Sequence, residues 1–140
     1  MEPPLPLTRR LDTALAARAA SLANQPKGGL RLFNGFTEGL PDLVIDWMAG
    51  CAVIFNQARQ PEELAGLLPE VAAWLRASLP DLRSILVKTR HAPDLEARCG
   101  EQLWGENLPG ELEETGVRHA LDLRINQDAS FYLDTRSLRA

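Results

Sequence analysis

Residues 43–55 read Leu43-Val44-Ile45-Asp46-Trp47-Met48-Ala49-Gly50-Cys51-Ala52-Val53-Ile54-Phe55, and this stretch decides the fold class. Leu43-Val44-Ile45 and the run from Cys51 to Phe55 are rich in β-branched and aromatic side chains, the composition of short strands. Ala49-Gly50 between them supplies the small residues of a turn. The two runs are therefore expected to pair as a hairpin. Just upstream, Leu30-Arg31-Leu32-Phe33 reads as another short strand. Residues 34–41, with Gly35, Gly39 and Pro41, read as the loop that joins it to the hairpin.

Helices flank this β region. In residues 8–24, Leu11, Leu15 and Leu22 fall on one apolar stripe while Arg10 and Arg18 lie off it. Gln25-Pro26-Lys27-Gly28-Gly29 stops that helix. In residues 60–79, Leu64, Leu67, Leu68, Val71, Trp74 and Leu75 form a broad apolar face. Pro61 suits a first helical turn, whereas Pro69 inside the pattern predicts a kink or two abutting helices. Residues 84–87 read as a buried strand running into the polar Lys88-Thr89-Arg90-His91. Residues 92–116 are acidic and poorly periodic, which predicts a long loop with a strand near residues 102–104. Residues 117–123 alternate as a strand, and Phe131-Tyr132-Leu133 reads as a short extended run. The expected fold is α+β: a small mixed, largely antiparallel sheet with packed helices.

Composition bounds the function classes. The chain has 140 residues, 45% hydrophobic and 24% charged, which suits one ordinary globular domain and excludes collagen, coiled coil and wholesale disorder. No apolar run reaches the ~18 residues of a membrane span, and Met1-Glu2-Pro3-Pro4 does not open a signal peptide, so the expected location is the cytoplasm. The net charge of −4 argues against nucleic-acid binding through the whole surface, though a local basic face stays open. Arg76, Arg83, Lys88, Arg90, His91 and Arg98 make the middle of the chain its most basic part, interleaved with Asp81, Asp94 and Glu96; a solvated edge is the plainer expectation. Cys51 and Cys99 have no metal-ligand spacing and read as reduced structural thiols. His91 and His119 have no metal-like partners, and no nucleotide-binding or hydrolase motif occurs. Neither a catalytic residue nor a metal ligand is nominated. Trp47, Trp74 and Trp104 read as core or interface residues.

The C-terminal stretch carries a local signal. Asp134 is a good N-cap, and Leu133 with Leu138 forms the pattern of a hydrophobic staple, so a helix is expected from Thr135. Six residues are too few for a helix to stand alone, and the chain is expected to be the front part of a longer protein. The N–H groups of that helix start, together with Arg136, suit a carboxylate or phosphate ligand.

Two blocks together resemble the class I S-adenosylmethionine-dependent methyltransferases that act on cytosine C5 of bacterial 23S rRNA. Residues 31–46, from Arg31 through Gly35, Gly39-Leu40-Pro41 and Asp46, are similar to the family pattern R-L-x-x-G-E-x-[DE]-G-L-P-G-L-x-V-D. Residues 126–136 are similar to G-x-K-T-G-[FY]-[FY]-L-D-Q-R. The chain departs from these patterns with Phe36 for Glu, Asp42 for Gly, Asn126 for Gly, Asp128-Ala129-Ser130 for Lys-Thr-Gly and Thr135 for Gln.

The resemblance implies a small α+β substrate-recognition domain over residues 28–124, preceded by an arm and helix over residues 1–27. Residues 125–140 would be a junction leading into a Rossmann-like catalytic domain that this chain lacks. It further implies S-adenosyl-L-methionine as cofactor of the full-length protein, bordered by Phe131, Tyr132, Asp134 and Arg136. Lys88, Arg90 and Asn126 would face the substrate, and rRNA is the expected partner. A homo-oligomer stays open. Two other readings stay open as well: a stand-alone RNA- or protein-binding module, and a methyltransferase relative with a non-RNA substrate.

Overall fold

The structure is a computed structural model and describes residues 6–105 and 107–124. In chain order its elements are α1 (Leu7–Asn24), β1 (Gly29–Asn34), the single turn α2 (Gly35–Glu38), β2 (Leu43–Met48) and β3 (Cys51–Asn56). Then follow α3 (Glu62–Ala65), α4 (Leu68–Ser78), β4 (Ser84–Thr89), α5 (Leu95–Cys99), β5 (Glu101–Gly105), β6 (Glu111–Glu114) and β7 (Val117–Ala120). The first five strands form one sheet in the order β1-β2-β3-β4-β5, and β6 with β7 forms a separate two-stranded sheet. Every neighbour in the large sheet is antiparallel except β3 with β4, which are parallel because α3 and α4 carry the chain back across. The fold is the expected mixed, mostly antiparallel sheet with helices.

The hairpin of β2 and β3 is the centre of the molecule. Met48 pairs with Cys51 across a two-residue turn in which Ala49 and Gly50 both have positive φ, at 51° and 99°. That is the turn geometry whose twist matches two right-twisted strands. All twelve side chains of β2 and β3 are buried. Strand alternation sends them to two different cores. Ile45, Trp47, Ala52, Ile54, Ile85 and Val87 face a first core closed by Leu11 and Ala14 of α1 and by Val71, Trp74 and Leu75 of α4. Val44, Met48, Cys51, Val53, Phe55 and Leu86 face a second core closed by Leu112, Leu121 and Leu123. At roughly 1.5–3 kcal/mol per fully buried large apolar side chain, this doubly covered hairpin is the main stabilising unit.

Pro69 does separate two helices: α3 ends at Ala65, and Pro69 sits in the first turn of α4, where its missing N–H costs nothing. Three stretches differ from the sequence reading. Residues 34–41 hold the one-turn helix α2, started by the Asn34 side chain accepting from the Phe36 N–H and ended by Gly39 in the left-handed region. Residues 92–116 are not one long loop. They contain α5, the expected strand β5, and β6, which carries a single buried apolar side chain, Leu112. The strand expected over residues 117–123 is regular only as β7, which pairs with β6 across Thr115 and Gly116 at φ 51° and 80°. Elements this short are invisible to periodicity, because one turn of helix or two inward residues make no pattern.

Candidate functional site

The block 31–46 turns out to be a framework rather than a binding loop. Arg31 and Asp46 are register partners on β1 and β2. Arg31 Nε donates to Asp46 Oδ1 at 2.8 Å and Nη2 to Oδ2 at 3.3 Å, a fork on a carboxylate that is almost fully buried. Glu38 accepts from the Asn34 N–H at 2.8 Å and pairs with Arg18 of α1 at 2.6 Å, so it ties the end of β1 to the first helix. Arg10 of the same helix donates to the Gly39 carbonyl. Gly35 is required by space: a Cβ there would lie 1.8 Å from the Leu40 carbonyl oxygen. Phe36, which stands where the related pattern has Glu, is 81% exposed.

The basic middle of the chain is not one face. Arg83 precedes β4 and Arg90 follows it, so a strand length of about 23 Å separates them. Lys88 lies within β4, opposite Phe55, and only 1% of it is exposed. It faces the second core on the same side of the sheet as Asp46. Arg90 and His91 are exposed at the far end of β4, and the Arg90 N–H is held by the Asn56 carbonyl at 3.0 Å. Arg98 donates to the carbonyls of Ala92 and Pro93. Asn126, Phe131, Tyr132, Asp134 and Arg136 lie outside the described residues, as do the expected extended run at 131–133 and the helix from Thr135.

Two buried polar groups shape the rest: Asn56, which the sequence reading did not single out, and Cys51, which it read as a structural thiol. Asn56 donates to the Pro61 carbonyl and accepts from the Ala58 N–H, which fixes the turn between β3 and α3. Cys51 is buried beside Ser84, and loss of hydration pushes its thiol up to about 11, against smaller opposite pulls from hydrogen bonds and from Lys88. Neither cysteine is in a disulfide. Among the described residues no cluster of His, Cys, Asp or Glu could hold a metal ion.

Two adjoining hollows lie at the turn end of the hairpin. A cleft of about 750 Å³ runs between the Ala49-Gly50 turn and the β6–β7 hairpin, and its charges balance: Lys27, Arg83 and Arg118 against Asp81, Glu111 and Glu113. Beside it a hollow of about 700 Å³ is lined by Arg83, Trp104, Gly105 and Asn107. On the other side of Trp104 a third hollow, about 480 Å³, is lined by Arg76, Leu79 and Leu82. Arg76 lies over the Trp104 ring, 4.8 Å from its centre. The other two tryptophans are buried, with Trp47 Nε1 donating to the Pro26 carbonyl and Trp74 Nε1 to Asp12, each at 2.8 Å.

An adenosyl cofactor would need a glycine-rich turn between a strand end and a helix. Among the described residues the parallel β3–β4 crossover comes nearest. Its loop, Gln57-Ala58-Arg59-Gln60-Pro61, has no glycine, and α3 is one turn long. The described residues therefore do not fit that cofactor by themselves.

What these features define is a small, doubly covered α+β domain with a polar cleft at one end. Solved structures share this fold. A candidate S-adenosylmethionine-dependent methyltransferase from Streptococcus mutans superposes on 99% of the chain with a TM-score of 0.77 and 17% identity, using 36% of its own length. A candidate methyltransferase solved with S-adenosylhomocysteine gives 0.78 with the same identity and coverage. Relatives in sequence are more specific. A ribosomal RNA large subunit methyltransferase from Deinococcus radiodurans is 36% identical over 93% of the chain. Ribosomal RNA large subunit methyltransferase I from Aeromonas salmonicida is 30% identical, and that from Shewanella amazonensis 31%, each over 94% of the chain. No protein-family model matches the chain. The chain is thus similar to ribosomal RNA large subunit methyltransferases, and it spans about a third of the length of the curated relatives it matches.

Proposed function

We propose that this chain is the N-terminal, substrate-positioning portion of an S-adenosylmethionine-dependent methyltransferase that modifies large-subunit ribosomal RNA. The observation that carries this reading is the 36% identity to the Deinococcus radiodurans enzyme, spread over 93% of the chain rather than confined to one motif. The described residues supply a rigid sheet and a polar cleft, and they do not supply a cofactor cradle. Because the chain spans about a third of the length of its curated relatives, methyl transfer would fall to a catalytic domain elsewhere in the whole protein. In that whole protein S-adenosyl-L-methionine would supply the methyl group. Phe131, Tyr132, Asp134 and Arg136 would border its pocket from this side. Lys88, Arg90 and Asn126 would be the substrate-side residues, Arg90 from the surface and Lys88 from within the sheet. The C5 position of a cytosine is the target that the sequence resemblance suggests, and the cytoplasm is where such an enzyme would meet its RNA. No helix among the described residues is long and apolar enough to cross a membrane.

The test uses unmodified 23S rRNA and labelled S-adenosylmethionine. The 140-residue chain is expected to bind the RNA and to transfer no label. A longer polypeptide that continues into the catalytic domain is expected to label it. Label transferred by the 140-residue chain would overturn the division of labour. An absence of RNA binding by either polypeptide would overturn the RNA reading and favour a protein-binding module or another methyl acceptor.

A further inference from the structure

We propose that Trp104, Arg76 and Arg83, at the β5 edge of the sheet, form a contact site for single-stranded RNA; this rests on the rRNA reading above and gives it a location. Trp104 is the wall common to two hollows, one holding Arg76 and the other Arg83. Among the described residues these two arginines are the only charged groups lining those hollows, and neither has a carboxylate partner. The neighbouring cleft, which Arg83 also borders, is larger but carries Asp81, Glu111 and Glu113 beside its cations, so it is the less favourable surface for a polyanion. Elsewhere Arg18, Arg31 and Arg118 are paired with Glu38, Asp46 and Glu111, and Arg10 and Arg98 are spent on backbone carbonyls. Arg9, Arg59, Arg90 and Arg124 are exposed too, but Arg76 and Arg83 share their hollows with a half-buried indole.

That combination suits one chemistry. A base freed from its stack can lie on an indole or on a guanidinium plane, while guanidinium forks hold the phosphates on either side. A duplex keeps its bases stacked and offers them to neither surface. With a net charge of −4 the chain as a whole does not attract nucleic acid, so binding must be local and must depend on these few cations.

The experiment titrates the 140-residue chain with a single-stranded RNA oligonucleotide and with a duplex of the same length. Tryptophan fluorescence is the readout. Trp47 and Trp74 are buried, so quenching on binding reports Trp104. The expected result is quenching by the single strand but not the duplex. Arg76→Glu and Arg83→Glu should each weaken binding about tenfold and lower the salt slope by about 0.7 per lost phosphate contact. Trp104→Phe removes the reporter, so its binding is read by the anisotropy of a labelled single strand; it should weaken binding less, keeping a ring to stack on. Arg9→Glu on α1, beside the opposite edge of the sheet, matches the charge change and should bind like the unaltered protein.

If the unaltered chain binds RNA and the Arg76 and Arg83 variants bind equally well, this site is wrong and the rRNA reading stands. If Arg9→Glu loses as much as they do, the effect is net charge and the site is again wrong. If the unaltered chain binds no RNA, this site is wrong, and the rRNA reading falls with it only if the longer polypeptide binds none either. Quenching by an acidic peptide in place of RNA would make the surface a protein contact and overturn the proposal.

Discussion

Asp46 and Cys51 show how much a single residue owes to its surroundings. At a strand end, Asp46 reads from sequence as a turn former or a salt-bridge partner, with no partner named. The structure buries it and gives it the Arg31 fork, with part of that guanidinium still in water. Arg31→Lys keeps the charge but loses the paired geometry, and is expected to lower unfolding free energy by about 1 kcal/mol in urea titration. Asp46→Ala should cost about 2–3 kcal/mol, because it also strips a buried site of its hydrogen bonds. For Cys51, the folded thiol is held protonated up to about 11 against an ordinary 9.0. The unfolded chain therefore releases that proton first, and stability is expected to fall as pH rises from about 9 toward 11. Cys51→Ala should flatten that slope in melts run across the window; an unchanged slope would assign it to other groups. At pH 8, thiol labelling should reach the partly exposed Cys99 well before Cys51.

At the scale of elements, turns decide more than propensity does. Ala49 occupies the left-handed region in the tight turn between β2 and β3, where an L side chain other than Asn or Asp costs about 1 kcal/mol or more. Ala49→Asn recreates the Asn-Gly pair favoured in such turns and is expected to raise stability by about 0.5–1 kcal/mol. Two glycines make a matched contrast. Gly35→Ala would drive a Cβ into the Leu40 carbonyl, and is expected to unfold α2 and detach β1 from α1, seen as a large loss of Tm. Gly66 has helical φ and nothing within 4 Å of an added Cβ, so Gly66→Ala should stabilise by about 0.4–1 kcal/mol. The hairpin, α1 and the break at Pro69 were legible because each carries its own signal. The helices α2 and α5 and the strand β6 were not, since their few residues gain order from what they pack on.

Over the whole molecule, the strands are laid down in chain order, with each neighbour in the sheet also the next strand in sequence. Such local wiring favours fast folding. Amide exchange should be slowest in β3, which is central and covered on both faces, and faster in the β6–β7 hairpin, which is covered on one. Exchange as slow in β7 as in β3 would mean that the second core is stronger than its few leucines suggest.

The sequence by itself determined the hairpin, the helices around it and the likeness to rRNA methyltransferases, because apolar alternation, proline placement and motif spacing are local properties of the chain. The tertiary structure alone decided what the charged residues are for. Arg31, Glu38 and Asp46 sit in a conspicuous motif yet brace the scaffold. The basic run through the middle is divided between opposite ends of β4, with Lys88 buried between them. Arg76, Arg83 and Trp104 are scattered in sequence yet meet at one edge. Spacing along a chain cannot report such meetings, because pairing across strands and packing of a helix on a sheet bring together residues with no local relation.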